Sequence, residues 1–194
     1  MSRKILIIQG HPDSGGDHFC HLLEEHYEKN AKQAGHKVKK IDVGHLNFSL
    51  LKSKHEYEKE SPEEDILKSQ ELVNWANHLV FIFPLWLGGM PALLKGFLEQ
   101  LARPGFAVEI LDNGIWKRKL KGKSARVIVT MGMPAMAYRW FFFAHSLKNL
   151  ERNILNFVGI KPVRNTLIGL VENMNDSRRE KILAKVASLA HKGM

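Results

Sequence analysis

Five short apolar runs, each followed by a segment with helical spacing, constrain the fold of this chain more than any other feature. The runs are rich in Ile, Val, Leu and Phe and cover residues 4–10, 36–43, 78–83, 124–132 and 163–172. The segments that follow them repeat apolar residues at helical intervals and cover residues 17–35, 61–78, 90–102, 137–159 and 176–193. Alternation of strand and helix predicts a parallel sheet covered by helices on both faces. We therefore expect one doubly wound α/β domain over residues 1–194.

Cap and turn residues predict where several of these elements begin and end. Ser61 followed by Pro62 is typical of a helix N-terminus, and Asp176 or Ser177 is the expected cap of the last helix. Gly35 and Gly159 are the expected C-terminal stops of the first helix and of the helix over 137–159. Residues 44–62 show no periodicity and are expected to be irregular. Residues 103–123 read as a long loop with a hairpin at Asn113-Gly114.

The charge balance favours anionic ligands but does not identify one. The chain has 29 Lys and Arg against 20 Asp and Glu, a formal charge of +9. Such a field attracts nucleotides, phosphates or nucleic acid, although a lysine-rich solvated surface explains the same excess. The sequence has neither an arginine-rich stripe nor a recognised nucleic-acid module. We therefore expect no nucleic-acid partner.

Cysteine usage and the apolar runs indicate the compartment. Cys20 is the one cysteine, so neither an intramolecular disulfide nor a cysteine-based zinc cluster can form. Only four consecutive apolar residues precede Gln9, too few for a signal-peptide core or a membrane span. The aromatic segment 138–147 is also short and contains Arg139. These features predict a cytoplasmic protein without a membrane span.

Ligands of doubly wound folds bind beyond the carboxyl ends of the strands, near the point where strand order reverses. Three loops of this chain are placed to meet there, namely 10–18, 84–90 and 130–138. The first, in the sequence GHPDSGGDHF, leads small and polar residues into a helix N-terminus, where free amides favour a phosphate. It matches neither a Walker A loop nor G-x-G-x-x-G. A structural turn with Asp17 as the helix cap explains the same residues.

The second and third loops have the composition expected around a flat ligand. Pro84 lacks an N–H and is expected to end its strand, leaving Trp86 as a flat apolar face at the sheet edge. Gly88 and Gly89 permit close approach of a ligand or another chain. Thr130 and Gly132 offer backbone groups, and the intervening methionines offer adaptable apolar surface. A core position for Trp86 is the alternative interpretation.

Together these residues resemble a known family. His11-Pro12 after the first strand, the segment FPLWLGGMPALLKGFLEQ over 83–100 and the Thr-containing turn after the fourth strand are similar to the flavodoxin-like NAD(P)H:quinone oxidoreductases. That group includes quinone reductases, drug-activity modulators and ancillary flavoproteins of potassium-efflux systems. The resemblance covers nearly the whole chain, and its most specific part is Pro84 with the P-A-x-L-K-G run 91–96. It implies a three-layer flavodoxin-like fold with strand order 2-1-3-4-5.

The resemblance also implies an activity. Family members are homodimers that bind FAD or FMN at the subunit interface. They transfer two electrons as hydride, first from NADH or NADPH to the flavin and then from the flavin to a quinone or related acceptor, in a ping-pong cycle. The alternative that the family allows is a flavin-binding regulatory subunit that docks on a transporter or another protein, including peripheral docking to a membrane protein. The aromatic run 138–143 suits either a homodimer interface or such a partner.

Carried over by position, the resemblance assigns a role to each loop. The residues expected to hold the flavin phosphate are His11, Asp17, His18, Phe19 and Cys20. Those expected to line the flavin ring are Pro84, Leu85, Trp86, Leu87 and Gly88, and those expected at its polar edge are Thr130, Met131, Gly132 and Met133. The candidate catalytic residues are Tyr138, near the ring, and His145, as a proton relay. An ordinary helix residue packed in the interface is the alternative for His145.

Three positions depart from the family pattern. Asp17 stands where a hydroxyl residue often meets phosphate, so its carboxylate would repel the phosphate unless it only caps the helix. The order Pro-Leu-Trp-Leu moves the indole by one place relative to the usual Pro-Leu-Gln-Trp. Met133 stands in a turn that is usually Thr-Gly-Gly. These departures leave open the flavin type, its affinity and the preferred acceptor.

Overall fold

A computed structural model describes residues 2–111 and 113–194 of the chain. Its central sheet has five strands: β1 (Lys4–Gln9), β2 (Lys37–Asp42), β3 (His78–Pro84), β6 (Ser124–Thr130) and β7 (Val163–Ile168). Every neighbouring pair in this sheet is parallel, in the order β2-β1-β3-β6-β7. The predicted order 2-1-3-4-5 is confirmed, because β6 and β7 are the fourth and fifth predicted strands.

The helices cover both faces of the sheet. They are α1 (Phe19–Gln33), α2 (Lys54–Lys59), α3 (Glu64–Trp75), α4 (Ala92–Leu101), α5 (Ala135–Trp140), α6 (His145–Lys148), α7 (Asn156–Val158) and α8 (Asp176–His191), with a 3₁₀ turn at Val43–His45 and a π-helical segment at Asn149–Leu155. The hairpin predicted at Asn113-Gly114 is confirmed by the short antiparallel strands β4 (Val108–Ile110) and β5 (Trp116–Arg118). No helix in the described ranges is both long and apolar enough to cross a membrane.

Alternate side chains of each strand fill two separate cores. Ile5, Ile7 and Val80 pack with Leu23 and Val186, against α1 and α8. The strand residues between them face the other way, against α3, α4 and the π-helical segment. Because both faces are covered, the central strands are almost wholly apolar, which explains why they read as continuous runs in the sequence. Each fully buried aliphatic side chain contributes roughly 1.5–3 kcal/mol of transfer free energy.

The segment predicted to be irregular, 44–62, contains the helix α2, so that prediction is wrong over 54–59. Ser53 caps α2 by accepting a hydrogen bond from the Glu56 backbone N–H at 3.1 Å. None of the helix residues is buried. The helix therefore lacks the apolar periodicity on which the sequence interpretation relied, and capping alone marks its start.

Two predicted helix caps are also wrong. The helix α3 begins at Glu64 with Glu63 at the cap position, so Ser61 and Pro62 precede it. The Glu63 carboxylate instead accepts from the Ser49 backbone N–H at 2.7 Å, which ties the 44–62 segment to this helix. At α8 the cap is Asn175, which accepts from the Arg178 N–H at 2.9 Å. Asp176, the expected cap, is the first residue of the helix.

The predicted helix over 137–159 is interrupted at Phe141–Ala144. Phe143 and Ala144 have φ of 52° and 47°, left-handed values that non-glycine residues rarely adopt. Buried Tyr138 holds the bend: its carbonyl accepts from the Ala144 N–H at 3.0 Å, and its hydroxyl accepts from the Leu147 N–H at 3.2 Å. The bend keeps the aromatic residues 140–143 on the surface, where a continuous helix would have turned some of them inward.

The two glycine stops offer a matched test of this architecture. Gly35 has φ of 82° and open space where a Cβ would stand, whereas at Gly159, with φ of 106°, a Cβ would lie 3.1 Å from the Lys121 backbone nitrogen. We expect Gly35→Ala to lower the free energy of unfolding by about 1 kcal/mol, from left-handed strain alone. Gly159→Ala should cost roughly 1–2 kcal/mol more, because the backbone must also move. Urea unfolding of both variants measures the difference, and equal losses would contradict the close contact at Gly159.

Candidate functional site

The loops after β1, β3 and β6 come together at the carboxyl edge of the sheet. The His11 ring of the first loop meets the Trp86 ring of the second edge-on, with centroids 5.9 Å apart. The Cys20 Sγ, at the start of α1, lies 3.2 Å from the Thr130 Oγ1 at the end of β6. The Leu85 N–H donates to the Thr130 carbonyl at 2.7 Å. The structure thus brings together the three loops that the sequence singled out.

Hydrogen bonds between close neighbours fix the first loop. His11 Nδ1 lies 3.1 Å from the Asp13 backbone nitrogen and 3.0 Å from the Asp13 carbonyl oxygen, so the Asp13 backbone holds this side of the ring. The Asp13 carboxylate accepts from the Gly15 N–H at 3.0 Å and pairs with His18 Nε2 at 2.8 Å. The hydrogen bond from His18 is the main cause that lowers the pKa of Asp13. The loop is therefore held in shape by Asp13, which the sequence interpretation did not single out.

Three histidine rings pack against one another beside this loop. His11 and His18 are stacked, with centroids 3.9 Å apart and planes inclined by 20°, and His21 lies 5.5 Å from each. Burial is the largest cause that lowers the pKa of His11, and the neighbouring His18 adds to it. The lowered pKa favours the neutral form of the His11 ring.

The N-terminus of α1 has free donors. His18 occupies the cap position and its side chain makes no capping hydrogen bond. Within the described ranges, the backbone N–H groups of Phe19 and Cys20 have no acceptor. The side chain of Asp17 is exposed and bonds to none of these amides, so the interpretation of Asp17 as the helix cap is wrong. Free amides at the positive end of a helix dipole form a site for an anion.

His21 is a site residue that the sequence interpretation missed. Its Nδ1 donates to the Gly16 carbonyl at 2.8 Å, which aims the ring along the loop. Its Nε2 is buried and has no hydrogen-bond partner in the part of the chain that the structure describes. A buried nitrogen of this kind calls for a partner, and in a protonated ring it becomes a second donor. The available signal was its spacing: His21 follows His18 by three residues and therefore lies one helical turn further on the same face.

The Cys20 side chain supports the site from beneath. Cys20 is 2% exposed, and burial raises the pKa of its thiol to about 12. The thiol therefore stays protonated, and only the Cys20 backbone N–H can reach a ligand. Buried Gln9 adds a second support, since its side-chain amide donates to the Cys20 carbonyl and to the Glu24 carboxylate, each at 3.1 Å. The carbonyl of the same Gln9 side chain accepts from the His11 N–H at 3.1 Å.

The second loop is a tight turn with its tip in solvent. Trp86 and Gly89 exchange both backbone hydrogen bonds, at 2.8 and 2.9 Å. The central residues Leu87 and Gly88 have φ of 46° and 76°, as in a type I′ turn, and their own N–H groups point away from the pair. Trp86 is 49% exposed, so its interpretation as a core residue is wrong. Pro84 is the last residue of β3 and pairs in register with Thr130, one position further than expected.

The third loop presents fewer free groups than its sequence suggested. Thr130 and Met131 are buried, and their backbone groups bond to Leu85, Ile168 and Val171. Gly132 and Met133 follow, and their N–H groups find no acceptor among the residues described. These two amides are the polar groups that this loop offers to a ligand. The Glu172 carboxylate lies 3.3 Å from where a Gly132 Cβ would stand.

The two candidate catalytic residues occupy different environments. Tyr138 is 2% exposed, and its hydroxyl oxygen accepts a hydrogen bond from the Leu147 N–H. Burial raises the pKa of this hydroxyl. His145 is exposed beside Phe143 at the start of α6. The structure thus gives Tyr138 a definite part in shaping the bend after α5. The catalytic assignments of both residues stay predictions.

Large apolar side chains are exposed on the second loop and on α5. Leu87 is 109% exposed, and the exposed residues of α5 and its bend are Met136, Trp140, Phe141, Phe142 and Phe143. The second loop lies against α6, which follows this bend, since a Cβ at Gly89 would stand 3.5 Å from the Ser146 Oγ. Clustered exposed apolar side chains on a folded domain mark contacts with a ligand, a membrane or another protein chain. We refer to these five residues of 136–143 as the α5 apolar surface.

Two large clefts open on the molecule. One, of about 740 Å³, is lined by the 14–18 loop, the first turns of α1 and side chains that include Lys40 and Arg179. The other, of about 780 Å³, lies between α2, α4 and the π-helical segment and contains none of the three loops. We place the anion-binding end of the site at the first, because Phe19 and His21 line it, whereas no residue of the loops 84–90 and 130–138 does. No metal-binding group of His, Cys, Asp and Glu occurs in residues 2–111 and 113–194.

Comparison with known proteins finds similarity over nearly the whole chain. A family model described as flavodoxin-like fold matches residues 3–192. A Haemophilus influenzae protein named as an uncharacterized NAD(P)H oxidoreductase is 28% identical over 186 residues, 94% of this chain and 91% of its own length. A solved NAD(P)H:quinone oxidoreductase from Methanothermobacter marburgensis superposes with a TM-score of 0.83 at 25% identity, covering 98% of each chain.

A shorter match concerns a Listeria innocua protein named FMN-dependent NADH:quinone oxidoreductase 2. It is 33% identical over 116 residues, which is 60% of this chain. The matched region spans 54% of the Listeria protein.

The conformation of Leu87 yields a stability test. Leu87→Gly should raise the free energy of unfolding by about 0.5–1 kcal/mol, because relief of left-handed strain exceeds the added entropy of glycine in the unfolded chain. Leu87→Ala keeps the strain and loses only an exposed side chain, so its stability should equal that of the wild type. Thermal unfolding compares the three proteins. A loss of stability in Leu87→Gly would mean that this turn is not strained.

Proposed function

The chain belongs to the flavodoxin-like family that includes NAD(P)H:quinone oxidoreductases, and from this we propose that it is a flavin-dependent oxidoreductase that passes electrons from NAD(P)H to quinones or related acceptors. The observation that carries the proposal is the α1 N-terminus: free amides and an unpaired histidine nitrogen lie within reach of an exposed indole. That combination suits a ligand with a phosphate at one end and a flat ring at the other.

The residues present fit a flavin mononucleotide. The amides of Phe19 and Cys20, with His18 and His21, would hold its phosphate. Trp86 and the turn at Leu87-Gly88 would hold the ring, with the Gly132 and Met133 amides at its polar edge. We propose FMN because the loop offers one phosphate site, and because the Listeria relative is named FMN-dependent. Bound flavin supplies the two-electron redox chemistry, and the protein supplies binding and orientation.

Each side chain around this site has a definite task. His11, held by the Asp13 backbone, contacts Trp86 edge-on and fixes the angle of the indole. The exposed Asp17 carboxylate makes no bond to the amides and leaves them to the phosphate. We propose that His145, exposed beside the α5 apolar surface, holds a proton for the acceptor at a ring nitrogen. Tyr138 positions His145 by fixing the bend that precedes it.

We further propose that the site is completed by a second copy of the chain. Leu87 is fully exposed to solvent, and so are large parts of the side chains of the α5 apolar surface. Covering these side chains with an identical subunit would remove apolar area from water and would exclude water from the ring pocket. A homodimer with two sites at its interface follows from this arrangement.

Steady-state kinetics of the FMN-loaded protein tests the activity. Varied concentrations of NADH or NADPH and of a soluble quinone should give parallel double-reciprocal lines, because one pocket serves both substrates in turn. Comparison of NADH with NADPH names the preferred donor. Absence of quinone-dependent NAD(P)H oxidation in protein that retains FMN would refute the enzyme proposal.

His21 provides a test of the phosphate site that does not depend on activity. His21→Asn should weaken FMN binding about tenfold, because a hydrogen bond to a charged phosphate is lost. It should leave the binding of riboflavin unchanged, because riboflavin has no phosphate. His55→Asn, on the exposed helix α2, is the matched control and should bind FMN as the wild type does. Equal weakening for riboflavin and FMN would show that His21 acts on the fold and not on the phosphate.

The α5 apolar surface also favours a second candidate, the flavin-binding subunit that docks on another protein. The two candidates differ in one observable: a docking subunit would bind FMN and leave its aromatic surface exposed as a monomer. Sedimentation of the loaded protein therefore separates them. A dimer with quinone turnover supports the enzyme, and a monomer without turnover supports the docking subunit.

A further inference from the structure

The amino-terminal edge of the sheet, opposite to the site described above, carries a cluster of basic side chains. Arg3, His78, Arg126 and Arg164 line a cavity of about 140 Å³, together with Ser124, Ala125, Pro162 and Met194. Arg126 and Thr130 lie on the same strand, about 13 Å apart at 3.3 Å per residue. The cavity is therefore separate from the loops that form the flavin site.

The strand register forces the basic residues together. Arg126 on β6 pairs directly with Arg164 on β7, so both side chains lie on the same face of the sheet. His78 on β3 pairs with Ser124, and it follows the same alternation as Val80 and Ile82, which face α1 and α8. Like charges directly opposite each other on neighbouring strands destabilise a sheet. An anion bound between two arginines in this register would therefore stabilise the pairing.

No acidic side chain supplies that anion. In residues 2–111 and 113–194, no Asp or Glu carboxylate lies within salt-bridge distance of Arg3, Arg126 or Arg164. Arg126 is 5% exposed and donates to the Thr166 hydroxyl at 2.9 Å. Burial of an unpaired guanidinium costs several kcal/mol unless a charge or hydrogen bonds compensate it.

Two buried nitrogens of residues that line the cavity have no hydrogen-bond partner among the described residues. These are the Nε of Arg126 and the Nε2 of His78, which is 3% exposed. The other ring nitrogen of His78, Nδ1, is hydrogen-bonded to the Ser124 hydroxyl at 2.8 Å. Burial, followed by the charges of Arg3, Arg126 and Arg164, lowers the pKa of His78 to about 3. The histidine is thus kept neutral by burial and by the positive field of three arginines.

We propose that this cavity binds a single small oxyanion of the size of phosphate or sulfate. The Arg126 Nε and the His78 Nε2 are placed as buried donors, and the exposed Arg164 side chain closes the outer rim. The volume suits one tetrahedral anion and falls below the roughly 300–1,000 Å³ of pockets for larger ligands. The bound anion would pair with both opposed arginines and would relieve their repulsion.

Phosphate binding to the full-length protein tests this proposal. Titration calorimetry and thermal unfolding are run with inorganic phosphate against sodium chloride at equal ionic strength, on FMN-loaded protein so that the flavin phosphate site is filled. The wild type should bind phosphate saturably and gain stability that chloride does not provide.

The variant Arg164→Gln tests the rim of the cavity. It should weaken phosphate binding by about tenfold or more, because one charge-assisted contact is lost. Arg152→Gln, an exposed arginine on the π-helical segment, is the matched control and should bind as the wild type does.

A second variant distinguishes loss of phosphate binding from loss of folding. Arg126→Met should abolish the response to phosphate. In chloride it should be at least as stable as the wild type, because it removes a buried unpaired charge. The proposal is overturned if phosphate gives no more stability than chloride, or if Arg164→Gln and Arg126→Met bind phosphate as the wild type does.

The same titration with glycerol phosphate distinguishes a free anion from a phosphate ester as the ligand. Binding equal to or weaker than that of inorganic phosphate supports a free anion. Binding more than about tenfold tighter would replace the free anion by a phosphate ester.

Discussion

The in-register parallel pairing of β1, β3 and β6 is the constraint on which the rest of this structure depends. Pro84 is opposite Thr130, so β3 and β6 end together, and Gln9 is opposite Ile82, so β1 ends two residues earlier at the same edge of the sheet. Short contacts then join the segments that leave the sheet there: Cys20 with Thr130, Leu85 with Thr130, and His11 with Trp86. A slip of one residue in any strand would move its side chains to the other face and take its loop out of the site.

The same alignment makes the two ends of the sheet different in character. At the carboxyl edge, α1 presents free amides beside a cluster of histidines, and the positive potential comes from the backbone at the helix N-terminus. At the amino-terminal edge, the positive potential comes from arginines placed in register across neighbouring strands. Among the described residues, buried nitrogens at both edges lack hydrogen-bond partners, at His21 in the first and at His78 and Arg126 in the second. Part of the formal charge of +9, ambiguous in the sequence, is thus concentrated where a buried anion would compensate it.

Much of this arrangement could be predicted from the sequence because it depends on periodicity. Apolar runs identified β1, β3, β6 and β7, alternation of apolar and polar residues identified β2, and glycine identified the ends of helices at Gly35 and Gly159. Other features were missed for different reasons. Ser53-Lys54-His55-Glu56 is a local capping-box pattern, and it was overlooked because helix α2 has no apolar periodicity. The bend after Tyr138 involves hydrogen bonds to residues six and nine positions further along the chain, which no helical periodicity indicates, and Asp17 was taken for a cap although His18 occupies that position. His21 was missed because its importance lies in an unpaired nitrogen, and only a folded loop shows which nitrogens are paired.

Three loops at the carboxyl edge carry the proposed flavin site, and flavin binding is therefore the property to measure first. The most direct measurement is the visible absorbance spectrum of the purified protein, taken as isolated and again after incubation with excess FMN or FAD and removal of the unbound fraction. We predict a flavin spectrum with one FMN retained per chain, shifted from that of free FMN by contact with the ring-binding loops. A protein that stays colourless after both incubations would contradict the proposed site, because free amides, an unpaired His21 and an exposed Trp86 would then not hold a flavin.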